Sequence, residues 1–125
     1  MAKSSKDRAP QVETAPGFEG HYEELGGYTV GFETYTEESD MAPLFKGLPD
    51  DRCQCDHWGY VLKGSFRVTY LDGPEEIVSA GEAYHLRPGH FVQTIEPVEL
   101  LELSPVEAHD RTMAAVARNM GAAAT

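Results

Sequence analysis

Hydrophobic and polar positions in this chain alternate over short segments rather than in long helical stripes. Residues 65–71 are the cleanest case. Phe66, Val68 and Tyr70 fall on one face and Ser65, Arg67 and Thr69 on the other, which is the period of a half-buried strand. Residues 28–36 are rich in aromatic and β-branched side chains and follow the turn signal Gly26-Gly27. Further strands are predicted over 57–63, 75–79, 82–86, 91–95 and 98–103. Gly64, Asp72-Gly73-Pro74, Gly81, Pro88-Gly89 and Pro97 separate them. Many short strands at close spacing predict an all-β sandwich or barrel. Between 37 and 51 the alternation stops. Pro43, Gly47 and Pro49 interrupt the apolar anchors Met41, Leu44, Phe45 and Leu48, and a loop of this length inside a small domain is often functional.

The period changes once more, near the end. Ser104-Pro105-Val106-Glu107 reads as a capping box with proline at the first helical position. Val106, Met113, Val116, Ala117 and Met120 form one helical stripe, and Gly121 is placed to stop it. The expected organisation is a flexible polar tail over 1–16, a barrel over 17–104 and a helix over 105–120. That helix should cover a barrel face or an oligomer contact.

Composition narrows the partners. The chain has 125 residues, 41% of them hydrophobic, which suits one domain with one core. Its formal net charge is −11, so it repels the phosphate backbone and anionic lipid, and neither nucleic acid nor a membrane surface is an expected partner. No apolar run approaches the roughly 18 residues of a spanning helix. The first eight residues lack the apolar core of a secretory signal, and the expected location is the cytoplasm.

The chemistry-bearing residues concentrate in Cys53-Gln54-Cys55-Asp56-His57. If that segment is extended, Cys53, Cys55 and His57 face one side. Two thiolates and an imidazole suit a borderline-soft cation, with zinc favoured and iron or another transition metal compatible. A fourth ligand must come from another strand, and His90 and His85 flank the Pro88-Gly89 turn. The alternative is that both cysteines are ordinary core residues. A third reading, a thiol nucleophile beside His57, has no orienting third residue. His21 and His109 are expected on the surface. Tyr60 and Tyr84 are candidates to line a cavity, with His85 near them. Trp58, Tyr60 and Leu62 alternate with the His57 face and form an apolar stripe that needs cover, from a neighbouring segment or a second subunit.

Two stretches resemble the motifs of the cupin superfamily. His57-Trp58-Gly59-Tyr60-Val61-Leu62-Lys63-Gly64 is similar to the end of the first cupin motif, with His57 at its glutamate position, Cys53 at its second histidine and Asp51 at its first. Gly81 to Gly89 is similar to the start of the second motif, with Arg87 at a usual proline position and Val92 where the metal histidine falls. The resemblance implies a double-stranded β-helix, or jelly-roll barrel, with a metal inside its mouth, and a homodimer. It implies either a metal-dependent enzyme acting on a small molecule or a non-catalytic small-molecule binder or sensor. The family's ligands are replaced at every position, so the expected set is Cys53, Cys55, His57 and His90. Asp51 is the alternative to Cys55 and His85 the alternative to His90.

Overall fold

The alternating segments become ten strands in two antiparallel sheets, closed at one end by a helix. The computed structural model describes residues 3–124, with the backbone alone for Ser39 and residues 121–124. The strands are β1 (Gln11–Ala15), β2 (Phe18–Leu25), β3 (Tyr28–Tyr35), β4 (Ser39–Asp40), β5 (His57–Lys63), β6 (Ser65–Tyr70), β7 (Glu76–Ser79), β8 (Ala83–Leu86), β9 (His90–Thr94) and β10 (Val98–Pro105), followed by α1 (Val106–Ala124). One sheet has six strands in the order β1-β2-β3-β10-β5-β8, and the other has four in the order β4-β9-β6-β7. The all-β barrel with a C-terminal helix expected from the alternation is therefore the fold observed.

The two sheets bury Val61, Phe66, Val68, Val78, Leu86, Val98 and Leu100 between them. Each such side chain contributes about 1.5–3 kcal/mol relative to an exposed one. A second cluster joins Phe45, Cys53, Cys55 and Val116, with Leu44, Leu48 and Met120 packed against it. Here α1 meets the 41–52 segment, which folds into two 3-10 helices, Ala42–Phe45 and Pro49–Asp51. Asn119 Nδ2 ties the two by donating to the carbonyls of Leu44 at 2.6 Å and Lys46 at 2.9 Å.

One row of the large sheet shapes the interior. Register places Tyr22 opposite Gly31, Gly31 opposite Glu102, Glu102 opposite Gly59, and Gly59 opposite Tyr84. A carboxyl thus sits mid-sheet with a glycine on either side and a tyrosine beyond each glycine. The rings lie over those glycines. A Cβ on Gly31 would come within 2.8 Å of the Tyr22 ring, and one on Gly59 within 2.4 Å of Tyr84. Glycine inside a strand here marks close approach of a neighbouring side chain.

Two expectations are corrected. Residues 11–15, assigned to the flexible tail, are an edge strand paired with β2 from Gln11↔Tyr22 to Ala15↔Phe18. Ahead of it a turn buries Ala9, and Lys6 Nζ donates to Thr34 Oγ1. The strand's side chains are mostly exposed, so backbone pairing holds it and no hydrophobic alternation announces it. The helix begins at Val106, because β10 runs to Pro105, and it continues through Gly121 to Ala124. Ser104 is taken up elsewhere.

Candidate metal centre

Cys53 and His90 face each other in an isolated antiparallel bridge, with Cys53 N donating to His90 O at 3.1 Å and His90 N to Cys53 O at 3.3 Å. His57 opens β5 and projects from the inner face of the large sheet. The three side chains converge in the buried interior, and one ligand atom from each lies within 4.8 Å of the other two.

Hydrogen bonding decides which atoms converge. His90 Nδ1 lies 2.7 Å from the carbonyl oxygen of Arg87. A carbonyl only accepts, so Nδ1 carries the proton and Nε2 keeps its lone pair. Burial holds the imidazole neutral, lowering its pKa to about 4. His57 Nδ1 is engaged by Ser104 Oγ at 2.7 Å and Glu102 Oε1 at 3.1 Å, which leaves Nε2 facing Cys53 Sγ at 3.5 Å. Burial, followed by the neighbouring His90, holds His57 well below the usual histidine range. Each ring therefore has Nδ1 held by protein oxygens and Nε2 turned elsewhere, the arrangement of metal-binding histidines.

The thiol completes the set. Burial raises the Cys53 pKa to about 11, and Thr112 Oγ1 from α1 sits 3.6 Å from its sulfur. Two ligands of a tetrahedral zinc at 2.0–2.3 Å are roughly 3.5 Å apart, close to the Cys53–His57 separation. A soft thiolate with two imidazoles is a coherent donor set for such a cation.

Cys55 is buried beside Cys53 but stands outside this cluster. Its Sγ donates to Asp56 O at 3.3 Å, and burial raises its pKa to about 12. The reason is local: residues 54–56 have no regular structure, so strand alternation does not carry from Cys53 to His57. Both cysteines are free thiols. Asp51 is exposed in the loop, where its Oδ1 accepts from Gly47 N. His85 lies on the outer face of the sheet, paired with Asp56 at 2.8 Å and stacked on Trp58. Tyr60 is also on that outer face, 43% exposed. Both were candidates to line the cavity; the parity of their strands turns them away from it.

The cluster opens into a cavity of about 370 Å³ whose wall includes Tyr22, Glu33, Tyr35, Tyr84 and Glu102. Glu33 and Glu102 share a hydrogen bond. Burial, then the neighbouring Glu33 charge, holds the Glu102 carboxyl well above the usual range. The Tyr22 hydroxyl donates to Glu33. His109, expected on the surface, lines the cavity from α1 and packs on Tyr22 at 5.5 Å. Its place was legible, since 109 lies on the same helical stripe as 106, 113, 116 and 120. Glu102 and Ser104 gave no comparable signal.

No family model matches the sequence, and no curated protein matches it. Solved structures do match. Ectoine synthase from P. lautus superposes with a TM-score of 0.61 at 12% identity, over 89% of this chain and 86% of that one. A RmlC-like cupin from Shewanella frigidimarina NCIMB 400 superposes with a TM-score of 0.56 at 17% identity, over 82% and 88%. Oxalate decarboxylase OxdC from Bacillus subtilis superposes with a TM-score of 0.59 at 15% identity; the match covers 76% of this chain and 27% of that enzyme. The chain has the cupin fold, and a buried Cys53–His57–His90 cluster able to hold a metal lies inside it.

Proposed function

We propose that this protein binds one divalent metal, with zinc preferred, through Cys53 Sγ, His57 Nε2 and His90 Nε2, and acts on a small molecule held in the adjoining cavity. One observation carries the reading: both imidazoles commit Nδ1 to the protein, so two nitrogens and a sulfur converge beside a cavity. Three protein ligands leave a coordination position toward that cavity, the pattern of catalytic rather than structural zinc sites. With Cys55 outside the cluster, no fourth protein ligand closes the site among the described residues. Bound there, a divalent cation supplies Lewis acidity toward an oxygen or nitrogen of the ligand. The chain's own contribution is to fix both imidazoles, through Arg87 O, Ser104 and Glu102, and to shield the site with α1. The cavity is within the usual size of small-molecule pockets.

The outer face of β5 supports a homodimer. Trp58, Tyr60 and Leu62 are exposed there, beside Leu103 of β10, and a contiguous apolar patch of this kind marks a contact surface. A cytoplasmic location remains part of the reading.

Elemental analysis of protein purified without a histidine tag tests the metal. One equivalent is expected in the wild type and in Cys55→Ser, and loss in Cys53→Ser with the fold retained by circular dichroism. Equal metal content in the wild type and Cys53→Ser removes the basis of the proposal.

A further inference from the structure

The donors of the metal centre are two imidazole nitrogens and one sulfur, and that set has a second use. Zinc has no redox chemistry. Copper has two accessible oxidation states, and one cysteine with two histidines is the donor set that carries single electrons on copper. Copper(II) also stands above zinc in intrinsic affinity for nitrogen and sulfur donors, and the ion a site holds depends on supply as well as on geometry. A zinc centre built this way is therefore open to copper wherever copper is offered.

The surroundings of Cys53 suit that use. Once Cys53 is a thiolate, the Thr112 hydroxyl 3.6 Å away can only donate to it, and the backbone N–H of Cys55 donates as well. The shell around the sulfur is apolar, with Phe45, Val116 and Met120 packed in one cluster with it. Cys53 and His90 are 1% exposed and His57 is 9% exposed. With one thiolate, Cu(II) makes the centre singly positive and Cu(I) makes it neutral. Burial disfavours the more charged form, and hydrogen bonds draw negative charge from the sulfur, so both raise the reduction potential. Neither imidazole is free to turn when the metal changes state. His90 Nδ1 is held on Arg87 O, and His57 Nδ1 on Ser104 and Glu102. The His90 ring also meets Tyr70 edge-on at 6.5 Å, and Tyr70 is half-buried beneath the exposed Arg87 guanidinium. The centre is thus one ring away from solvent on that side.

We infer that Cys53, His57 and His90 also hold copper, in both oxidation states, and that Thr112 and the Cys55 amide set its reduction potential through the Cys53 sulfur. This rests on the three-residue centre proposed above and adds an activity to it, one-electron transfer. Cu(II) takes one electron from an external one-electron reductant and becomes Cu(I), which returns that electron to an external one-electron acceptor. No bond to Cys53, His57 or His90 breaks, and no proton moves.

The test is a titration of copper(II) chloride into the full-length chain after a chelator has stripped it of metal. An intense thiolate-to-copper charge-transfer band in the visible is expected, saturating at one equivalent, bleached by ascorbate and restored by ferricyanide over repeated cycles. Cys55→Ser keeps the amide and should leave the band and the midpoint potential unchanged. Thr112→Val keeps the shape without the hydroxyl and should retain the band at a lower midpoint potential, while Thr112→Ser stays at the wild-type potential. Stoichiometric copper without the band, loss of thiols on copper addition, a band that does not return after one cycle, or an unchanged potential in Thr112→Val overturns the inference. A parallel zinc titration separates the two readings. If zinc binds at one equivalent and copper fails, the copper inference falls and the metal centre stands. If neither ion is retained, both fall.

Discussion

One row on the inner face of the six-stranded sheet and one patch on its outer face carry opposite chemistry, in the reverse of the ordinary order. A sheet packed on a core usually hides apolar side chains and shows polar ones. Here the inner row is Tyr22, Gly31, Glu102, Gly59 and Tyr84. The outer face of the same strands presents Trp58, Tyr60, Leu62 and Leu103. The larger hydrophobic cluster lies between the sheets, where Val61, Phe66, Val68 and Val98 meet, and the smaller one lies under α1 around Phe45 and Val116. A cavity adjoins the larger cluster, and its wall sets Tyr22, Glu33, Tyr84 and Glu102 among apolar side chains such as Phe66, Leu86 and Leu100. The contrast is between an inner face that lines a cavity and an outer face that leaves large apolar side chains exposed.

The deepest break in the inner row is Gly59→Val. Its Cβ would lie 2.4 Å from Tyr84 and 2.6 Å from the carbonyl of Leu101, and backbone cannot yield as a side chain can. Urea unfolding should show a loss of about 2–3 kcal/mol; a loss below about 0.5 kcal/mol would mean that the glycine makes no room. Ser104→Ala removes the 2.7 Å partner of His57 Nδ1 while adding nothing bulky. Zinc affinity, measured by chelator competition, should fall about tenfold or more with little change in folding. An unchanged affinity would show that Glu102 alone orients the ring.

The pH dependence of metal uptake separates thiol from imidazole. In the metal-free protein the Cys53 thiol is held up at about 11, while His57 and His90 are held below the usual histidine range. At neutral pH, binding therefore displaces one proton from sulfur and none from the rings. Affinity should rise about tenfold per pH unit between neutrality and the thiol pKa. A flat profile would take Cys53 out of the ligand set. The smallest effect on the fold belongs to the outer face. Tyr60→Glu should halve the mass seen by light scattering and shift intrinsic stability by no more than about 0.5 kcal/mol. A wild type that is already monomeric at micromolar concentration would leave the apolar stripe without its proposed partner.

Much of this was legible in the chain, and the failures have physical causes. The strands after residue 57 announced themselves because their alternation is set by the core they bury. Cys53 and His57 stood out on two independent grounds, local spacing and motif position. Cys55 did not behave as the spacing implied, because residues 54–56 lie outside any strand and the alternation on which the spacing argument depends does not run through them. Glu102 and Ser104 were hidden by parity. In Leu100-Leu101-Glu102-Leu103-Ser104, leucines occupy both faces, so only the cross-strand register shows that the glutamate points inward. Ser104 looked like a helix cap because the cap and the histidine clamp use the same hydroxyl. Tyr60 could have been excluded beforehand, since it lies an odd number of residues from His57 on one strand.

The Cys53–His90 bridge has one more consequence. These residues meet only when β9 closes against the segment ahead of β5, so the unfolded chain offers no cluster near enough to one point to grip a cation. Only Cys53 and His57 are neighbours in sequence. Bringing His90 to them incurs the closure entropy of a long loop, which the barrel supplies before any metal arrives. A cation held at this site, as proposed, would act as a rivet across that closure. It would retain the finished barrel rather than template its formation, and the rate of its release to a chelator would read out how often the barrel opens.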